Sequence, residues 1–394
     1  MAIQDFTAGQ VLTAAQMDSL QANDYNWTVS TKTASYVLVA ADKGTRVVMN
    51  AAGATTITVN TSIFAAGDTL FIQNINSGVC TITAGTCTVN TSSSLALSQW
   101  QGGVLYFTSA STAIFFLAGS VAGITIDWLV VAGGGGAGGA DNSTGGGGWY
   151  GGGGGGGGMR CTVTASGGTP GTVESAITLV KNTNYPVVVG AGGAGGAAGA
   201  GAGVNGSQGS QSSFAGILSV GGGFGTGAKN TLSLSAGSGA SGGGSGASSG
   251  TAGAIGKSVV TGQGFDGGLG QSGGTGGGGG GGAGAAGGSG ATRTQAAGVA
   301  TSITGASVTY ARGGASGSSN ASNADGAANT GQGGDTSSVS NGAGKNGGSG
   351  VVILRYADTL TITIGAGLTG TESAASGGYK RATITAGSGN VSWA

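Results

Sequence analysis

Side chains that could carry out chemistry are scarce in this chain. Of 394 residues, none is His, 3 are Cys, 13 are Lys or Arg and 13 are Asp or Glu. The commonest general base and metal ligand is therefore missing, and three Cys are too few for a zinc ribbon or a disulfide framework. The net charge of zero provides no basic surface for nucleic acid or an anionic membrane. We therefore expect no enzyme, no metal and no cofactor.

Short motifs that resemble ligand sites all depart from the required pattern. Thr251–Ser258 nearly matches a phosphate-binding loop, but Thr251 stands where Gly is needed and no strand precedes it. Gly262–Asp266 resembles a calcium-binding nonapeptide, but it occurs once and Gly268 replaces an apolar residue. A glycosidase-type carboxylate pair could still form in space from the scattered acidic residues Asp141, Glu174, Asp266, Asp325 and Asp335.

Aromatic and basic residues between the glycine tracts are the candidate contacts for a binding partner. Trp149 and Tyr150 separate two tracts, and exposed Trp and Tyr are good recognition anchors. Arg293 to Arg312, which contains Tyr310, is the longest glycine-poor stretch of this region and is a candidate binding loop. The alternatives are a cap or an intersubunit contact for the aromatic pair, and an ordinary strand for the stretch.

Composition and pattern divide the chain into four segments. Residues 1–30 contain a short helix signal, a capping box with Thr before the first turn and Gln three residues later. Residues 31–120 alternate as seven short strands and predict a small β-sandwich or barrel. Residues 121–356 are glycine-rich between strong strands, and residues 357–394 form a small terminal β element. The predicted fold is mostly β and irregular.

Two of the cysteines lie close together in the sequence. The spacing predicts a hairpin that turns at Ala84 and Gly85, with Cys80 opposite Val89. Cys80 and Cys87 would then be diagonal neighbours, about 7–8 Å apart at Cα, whereas a disulfide prefers a shorter distance. Two reduced, buried thiols are favoured, and a disulfide is the alternative.

Glycine accounts for 95 residues, including the uninterrupted runs Gly151–Gly158 and Gly276–Gly282. Three structures are compatible with such tracts: disorder, a glycine-rich β-solenoid, and a bundle of polyglycine II helices. In such a bundle each chain has about three residues per turn and no internal hydrogen bonds, and close neighbours leave no room for Cβ. Buried Val, Ile and Leu strands interrupt the tracts, which favours the ordered bundle over a disordered linker.

Four motifs in order carry a resemblance to a known family: Trp128–Gly136, Pro186–Gly195, Gly206–Phe214 and Gly348–Tyr356. Segment 128–356 resembles the glycine-rich domain of bacteriophage tail fibres. Residues 36–119 look like a small β-domain common in phage tail proteins, and Phe6–Thr13 resembles fibre N-termini that seat on the virion.

The resemblance implies a tail fibre or receptor-binding adhesin. It implies that the N-terminus joins a phage tail or baseplate protein, that loops contact a host surface protein or polysaccharide, and that copies form a trimer. The chain would be made in the host cytoplasm and act on the virion, without binding nucleic acid or entering a membrane. A structural tail or decoration protein without a receptor site is the alternative.

Overall fold

The computed structural model describes residues 28–118, 123–141, 149–229, 235–251, 253–273, 276–290, 292–317, 323–337 and 342–394. The chain divides into two compact units, Met1–Ala122 and Gly123–Ala394, called here the N-terminal and C-terminal units. The fold is mostly β; the only helical element of the described residues is a 3-10 turn at Ala40–Asp42. None of the described residues form a helix able to span a bilayer. The predicted N-terminal helix lies outside the described residues.

The described residues of the N-terminal unit form ten strands in two sheets. They are β1 Val29–Lys32, β2 Tyr36–Val37, β3 Arg46–Met49, β4 Thr55–Val59, β5 Thr69–Asn74, β6 Cys80–Ala84, β7 Thr88–Thr91, β8 Ala96–Leu97, β9 Gly102–Ser109 and β10 Thr112–Ala118. Successive strands alternate between the sheets, so that β1, β3 and β5 stack in parallel in one and β2, β4 and β6 in the other. The arrangement is solenoid-like, and the antiparallel pair β9–β10 extends the first sheet beyond β5.

The predicted hairpin between Cys80 and Val89 is wrong. Strand β6 pairs with β4 and β8, whereas β7 lies in the other sheet beside β10. The alternation of apolar and polar residues correctly marks the inward side chains, but it does not show which strands are neighbours. Here each of the strands β1 to β6 pairs with a strand two places along the chain, as in β4 with β6. Cys80, Cys87 and Cys161 are all free and buried, and burial raises the pKa of the Cys80 and Cys87 thiols.

The three thiols provide a simple test of the cores of both units, since Cys80 and Cys87 lie in the N-terminal unit and Cys161 in the C-terminal unit. Because only the thiolate reacts, we expect native protein at pH 8 to react with a thiol reagent at least about a hundredfold more slowly than denatured protein, which should titrate all three cysteines. Prompt reaction of one or more thiols without denaturant would contradict the buried positions, and two missing thiols in denaturant would indicate a disulfide.

In the C-terminal unit, the part of the chain that the structure describes contains twelve strands. They are β11 Gly123–Val131, β12 Met159–Cys161, β13 Ile177–Val180, β14 Tyr185–Val189, β15 Ser212–Phe214, β16 Ile217–Ser219, β17 Val299–Thr301, β18 Val308–Tyr310, β19 Val351–Ala357, β20 Ile362–Ile364, β21 Leu368–Glu372 and β22 Tyr379–Trp393. The main sheet has the order β12-β11-β19-β22-β14-β15-β16, with β13 on β11 and β20 and β21 on β22. The C-terminal residues are therefore part of this unit, since β22 lies between β19 and β14.

Both faces of the main sheet are covered. Along β11, Trp128 and Val130 face one core and Leu129 and Val131 face another. The first core contains Trp393, whose ring lies 5.8 Å from that of Tyr356. The second core contains Met159 from β12 of the same sheet and Tyr310 from β18, which pairs with β17 outside it. The main sheet therefore separates two hydrophobic cores of the C-terminal unit.

Tyr356 predicts how the C-terminal unit responds to alkali. Its hydroxyl donates to Glu372 at 2.7 Å, and burial, together with this carboxylate, raises the pKa of Tyr356 far above its ordinary value. The unfolded chain therefore loses this proton first, and stability should fall by about 1.4 kcal/mol per pH unit above pH ~10. Burial also raises the pKa of Tyr310. In Tyr356→Phe the unfolding free energy should therefore still fall with pH, but less steeply than in the native protein. Urea unfolding between pH 8 and 11 measures it; an unchanged slope in the variant would refute this assignment.

The sheet strands continue directly into extended glycine-rich segments. Val131 pairs with Met159 in the sheet, and the next residue, Ala132, donates its N–H to Gly158 in the same register. The register then persists to Asp141, whose N–H bonds to Trp149. These segments are neither helix nor ladder strand, so the sheet sets their alignment.

Hydrogen bonds of segment 132–141 rotate among three neighbours. The N–H groups of its first, fourth, seventh and tenth residues bond to 149–158, those of the second, fifth and eighth to 204–210, and those of the third, sixth and ninth to 342–348. A β-strand alternates between two sides, with a period of two. The period here is three, so one segment can bond to neighbours in several directions.

The run Gly151–Gly158 is the centre of the glycine-rich region and is buried throughout. Its backbone bonds to six segments, which also bond to one another in a closed ring. In order around the centre these are 132–141, 220–226, 241–247, 276–282, 311–316 and 331–337. A Cβ added at any of Gly151 to Gly157 would lie within 3.0 Å of a backbone oxygen of a neighbour. Glycine is therefore required here by steric contact.

A simple relation links each position to the neighbour that its side chain would meet. A Cβ on Gly133 would face the Ala191 carbonyl, and the carbonyl of the next residue, Gly134, accepts from Gly193 on that same segment. A side chain thus points toward the segment that bonds the carbonyl of the following residue. The relation also holds at Gly134, Gly135, Gly136, Gly152 and Gly225.

Candidate functional site

The glycine-rich segments end together, away from the main sheet. Segment 132–141 leaves β11 and extends about 28 Å if it rises ~3.1 Å per residue. Isolated backbone bridges join its end to those of neighbouring segments, through Asp141, Trp149, Gly199, Ala202, Lys229, Ser248 and Ser272. We call this end the distal end. Several described segment ends therefore meet on one surface.

Two buried carboxylates hold the backbone at the distal end. Asp141 is fully buried, and its Oδ1 accepts the N–H of Gly201 at 2.9 Å. Asp335 is 1% exposed, and its Oδ1 accepts the N–H of Ala315 at 2.8 Å. Both carboxylates thus bond to the main chain of neighbouring segments. This role had no sequence signal, because a single Asp beside a glycine tract resembles any turn residue.

Trp149 and Tyr150 lie at the distal end, and their side chains are half-buried. Their carbonyls are fixed by neighbouring segments: Trp149 accepts the N–H of Asp141 at 3.0 Å, and Tyr150 accepts that of Ala247 at 2.9 Å. The aromatic pair therefore stands on an ordered backbone immediately before the central glycine run. Both residues stay candidates for contact with a partner.

Arg293 belongs to the same end. Ser316 donates its N–H to the Arg293 carbonyl at 3.0 Å and its hydroxyl to the Gly151 carbonyl at 2.7 Å. Ser316 therefore connects Arg293 with the residue that follows Tyr150. The Arg293 guanidinium lies over the backbones of Gly276 and Gly317, where a Cβ would collide with it.

The other two candidates lie elsewhere. Tyr310 is only 4% exposed and packs in the core with Met159 and Cys161, so its ring is not on a contact surface. Arg312 is exposed and donates to Gln295 Oε1 at 3.3 Å. It lies close to β18, at the start of its segment. The structure thus brings together Trp149, Tyr150 and Arg293 and separates them from Tyr310 and Arg312.

The remaining acidic residues each have their own partners. Glu174 bonds to Arg160 and Ser166, and Asp325 accepts the N–H of Asn346 at 2.9 Å. Lys257 bonds to Asp266 at 2.9 Å; the Asp266 carboxyl is partly desolvated, but Lys257 and the N–H of Ser258 hold its pKa below the ordinary value. Across the described ranges, no three Cys, Asp or Glu side chains are grouped to hold a metal ion.

One groove was not signalled by the sequence. It has a volume of about 410 Å³ and lies between the outer ends of β11 and β19, where Asp127, Leu360 and Tyr379 line it. Asp127 bonds to Arg355 at 2.7 Å, and the Arg355 guanidinium lies 4.9 Å from the Tyr379 ring centre. The charged pair is compensated internally, so the groove offers mainly an aromatic ring and hydroxyl groups.

Residues 149–357 match a family model described as a glycine-rich domain, which is more than half of the chain. The chain belongs to this glycine-rich domain family. No curated protein sequence matches it. The matched glycine-rich domain begins at Trp149 of the distal end and ends at Ala357, the last residue of β19. Strands β11 and β22, which complete the sheet, lie outside the matched range.

Proposed function

We propose that the glycine-rich segments form a polyglycine II bundle that acts as a rigid scaffold for attachment to a surface. Two observations support the bundle: the hydrogen bonds of 132–141 return to the same neighbour every third residue, and Gly151–Gly158 bonds to a closed ring of six segments. A chain with about three residues per turn directs its N–H and C=O groups outward in this way.

The attachment role rests on one observation, the meeting of several described segment ends at the distal end of a closely hydrogen-bonded bundle. Contact residues whose backbone is held in place before binding lose less conformational entropy when a partner docks. Trp149, Tyr150 and Arg293 are the described side chains proposed to make contact there. The mechanism is non-covalent, and we propose no catalytic step.

We infer that the biological class is a bacteriophage tail fibre or receptor-binding protein. The inference rests on the resemblance of segment 128–356 to the glycine-rich domain of tail fibres and of Phe6–Thr13 to fibre N-termini. In this proposal the N-terminus binds a phage tail or baseplate protein, copies assemble as a trimer on the virion, and the distal end binds a host surface protein or polysaccharide.

Binding to cells tests the proposal directly. Fluorescently labelled full-length protein is added to a panel of intact bacterial strains, and bound fluorescence is measured over a concentration series. We expect saturable binding to at least one strain. The double variant Trp149→Ala/Tyr150→Ala should weaken binding about thirtyfold, the effect of losing a contact hot spot worth about 2 kcal/mol.

The control variant is Tyr379→Ala, which removes an aromatic ring that is 41% exposed near the sheet. It should bind like the native protein. If no strain binds the native protein, the attachment role is wrong, and a structural tail or decoration protein becomes the better proposal. If the double variant binds as tightly as the native protein, the distal end is not the contact surface.

A further inference from the structure

Among the described residues, the outer segment 190–199 has three neighbouring segments, whereas the central run has six. Its N–H groups at Gly193 and Gly196 bond to 132–141, and its carbonyls accept bonds from 203–211 and 342–350. The N–H groups of Ala191, Ala194 and Ala197 have no acceptor among the described residues. They form a row of free donors with a repeat of about 9.3 Å, three residues at ~3.1 Å each.

The adjacent segment 203–211 carries a matching row of acceptors. Its glycines bond to 220–228, and its N–H groups at Val204, Ser207 and Ser210 bond to 190–199. Within the described part of the chain, the carbonyls of the next residues have no donor; these are Asn205, Gln208 and Gln211.

Both rows face the same place. In the ring of segments around Gly151–Gly158, the segment bonded by a residue's N–H lies between two others. One bonds the carbonyl of that residue and the other bonds the carbonyl of the next residue. Applied to the outer segments, this order directs the donors of 190–199 and the acceptors of 203–211 toward one position beside both. That position is where one more segment of the lattice would lie, and we call it the vacant position.

No described segment lies in the vacant position, but three side chains point into it. Since a side chain points along the carbonyl of the following residue, Val204, Ser207 and Ser210 point into it. All three are exposed, Val204 by 55%. We propose that the vacant position is a latent docking site for a glycine-rich strand of a second copy of this chain, and that these three side chains close it.

The repeat of about 9.3 Å in the donor and acceptor rows indicates which kind of strand could bond to them if the side chains were absent. A β-strand bonds on one side every second residue, about 6.8 Å, and would lose register with rows that repeat every 9.3 Å. A strand with a three-residue repeat and glycine at its contacts stays in register, and this chain supplies such strands. The side chains thus prevent copies from extending one another's lattice, as protected edge strands do in β-sheets.

The test uses the full-length triple variant Val204→Gly/Ser207→Gly/Ser210→Gly and sedimentation equilibrium. We expect it to self-associate with a dissociation constant at least about tenfold below that of the native protein. The control is Asn205→Gly/Gln208→Gly/Gln211→Gly, with the same gain in glycine. Asn205 accepts the N–H of Gly227 at 3.0 Å and Gln208 donates to the Ser238 carbonyl at 3.3 Å. Both side chains thus contact segments of the same chain and not the vacant position, so this variant should associate no more than the native protein, even if it is somewhat less stable. A folded triple variant that associates no more than native protein overturns the proposal.

Hydrogen exchange on the native protein is a second test that does not depend on a variant folding. The amides of Ala191, Ala194 and Ala197 should exchange at least about a hundredfold faster than those of Gly193 and Gly196, which are bonded. Equal protection would mean that the vacant position is filled, and would overturn the proposal. The inference rests on the proposed bundle and not on surface attachment. A protein that fails to bind cells would therefore refute attachment, whereas only the association and exchange results would refute the docking site.

Discussion

Replacing Gly154 with Ala is expected to destabilise the C-terminal unit by about 3–5 kcal/mol, more than a typical overpacked core substitution. The added methyl would lie within 3.0 Å of the Gly135 carbonyl oxygen. The backbone cannot move away, because Gly154 donates to Gly334 and accepts from Gly314 on other sides. A side chain could change rotamer, whereas these contacts are all main chain.

Urea unfolding followed by fluorescence measures this loss, since Trp128 and Trp393 are buried in the C-terminal unit. The matched control is Ala194→Val, which adds carbon atoms at an exposed position of the same glycine-rich region and should change stability by less than about 0.5 kcal/mol. A Gly154→Ala protein as stable as the native one would show that the segments are not in close contact.

Trp393→Ala should cost the same unit about 3–5 kcal/mol, the usual loss for a large buried aromatic side chain. Its ring is 1% exposed and lies 5.8 Å from Tyr356, 6.4 Å from Phe214 and 6.3 Å from Tyr185. These rings come from β19, β15 and β14, so one residue near the C-terminus joins three strands of the sheet.

Tyr379→Ala is the control on the same strand, β22. Its ring is 41% exposed and has one cation–π contact, with Arg355, so the expected loss is about 1 kcal/mol. Denaturant unfolding of both variants decides the matter. If Trp393→Ala lost no more stability than Tyr379→Ala, the C-terminal strand would not be part of the core.

Much of the strand content could be predicted from sequence, because β-branched runs stand out against glycine. The expected strands ending at Val131 and beginning at Val351 are confirmed as β11 and β19. Their partners could not be predicted. The pairing of β22 with both β14 and β19 connects residues far apart in the chain, and alternation carries no information on such pairs. The solenoid-like stacking of the N-terminal unit was missed for the same reason.

The candidate site was predictable only in part. Trp149 and Tyr150 were identified because large side chains cannot fit within a glycine tract, and they lie at its end. Tyr310 was included because Val308–Tyr310 interrupts the glycine pattern, but a three-residue strand does not reveal which of its faces is covered. The buried role of Asp141 depends on Gly201, sixty residues away, and has no local signature.

The hydrogen bonds of segment 132–141 reach the same neighbour every third residue, and this repeat restricts how the glycine-rich region can change during evolution. An insertion of one residue within a segment would rotate every later N–H away from its acceptor, so the segments can grow only in steps of three and only together with the neighbours they contact. The repeat does not constrain residues outside the segments. Sequence length and identity can therefore diversify there while the glycine-rich segments keep their dimensions.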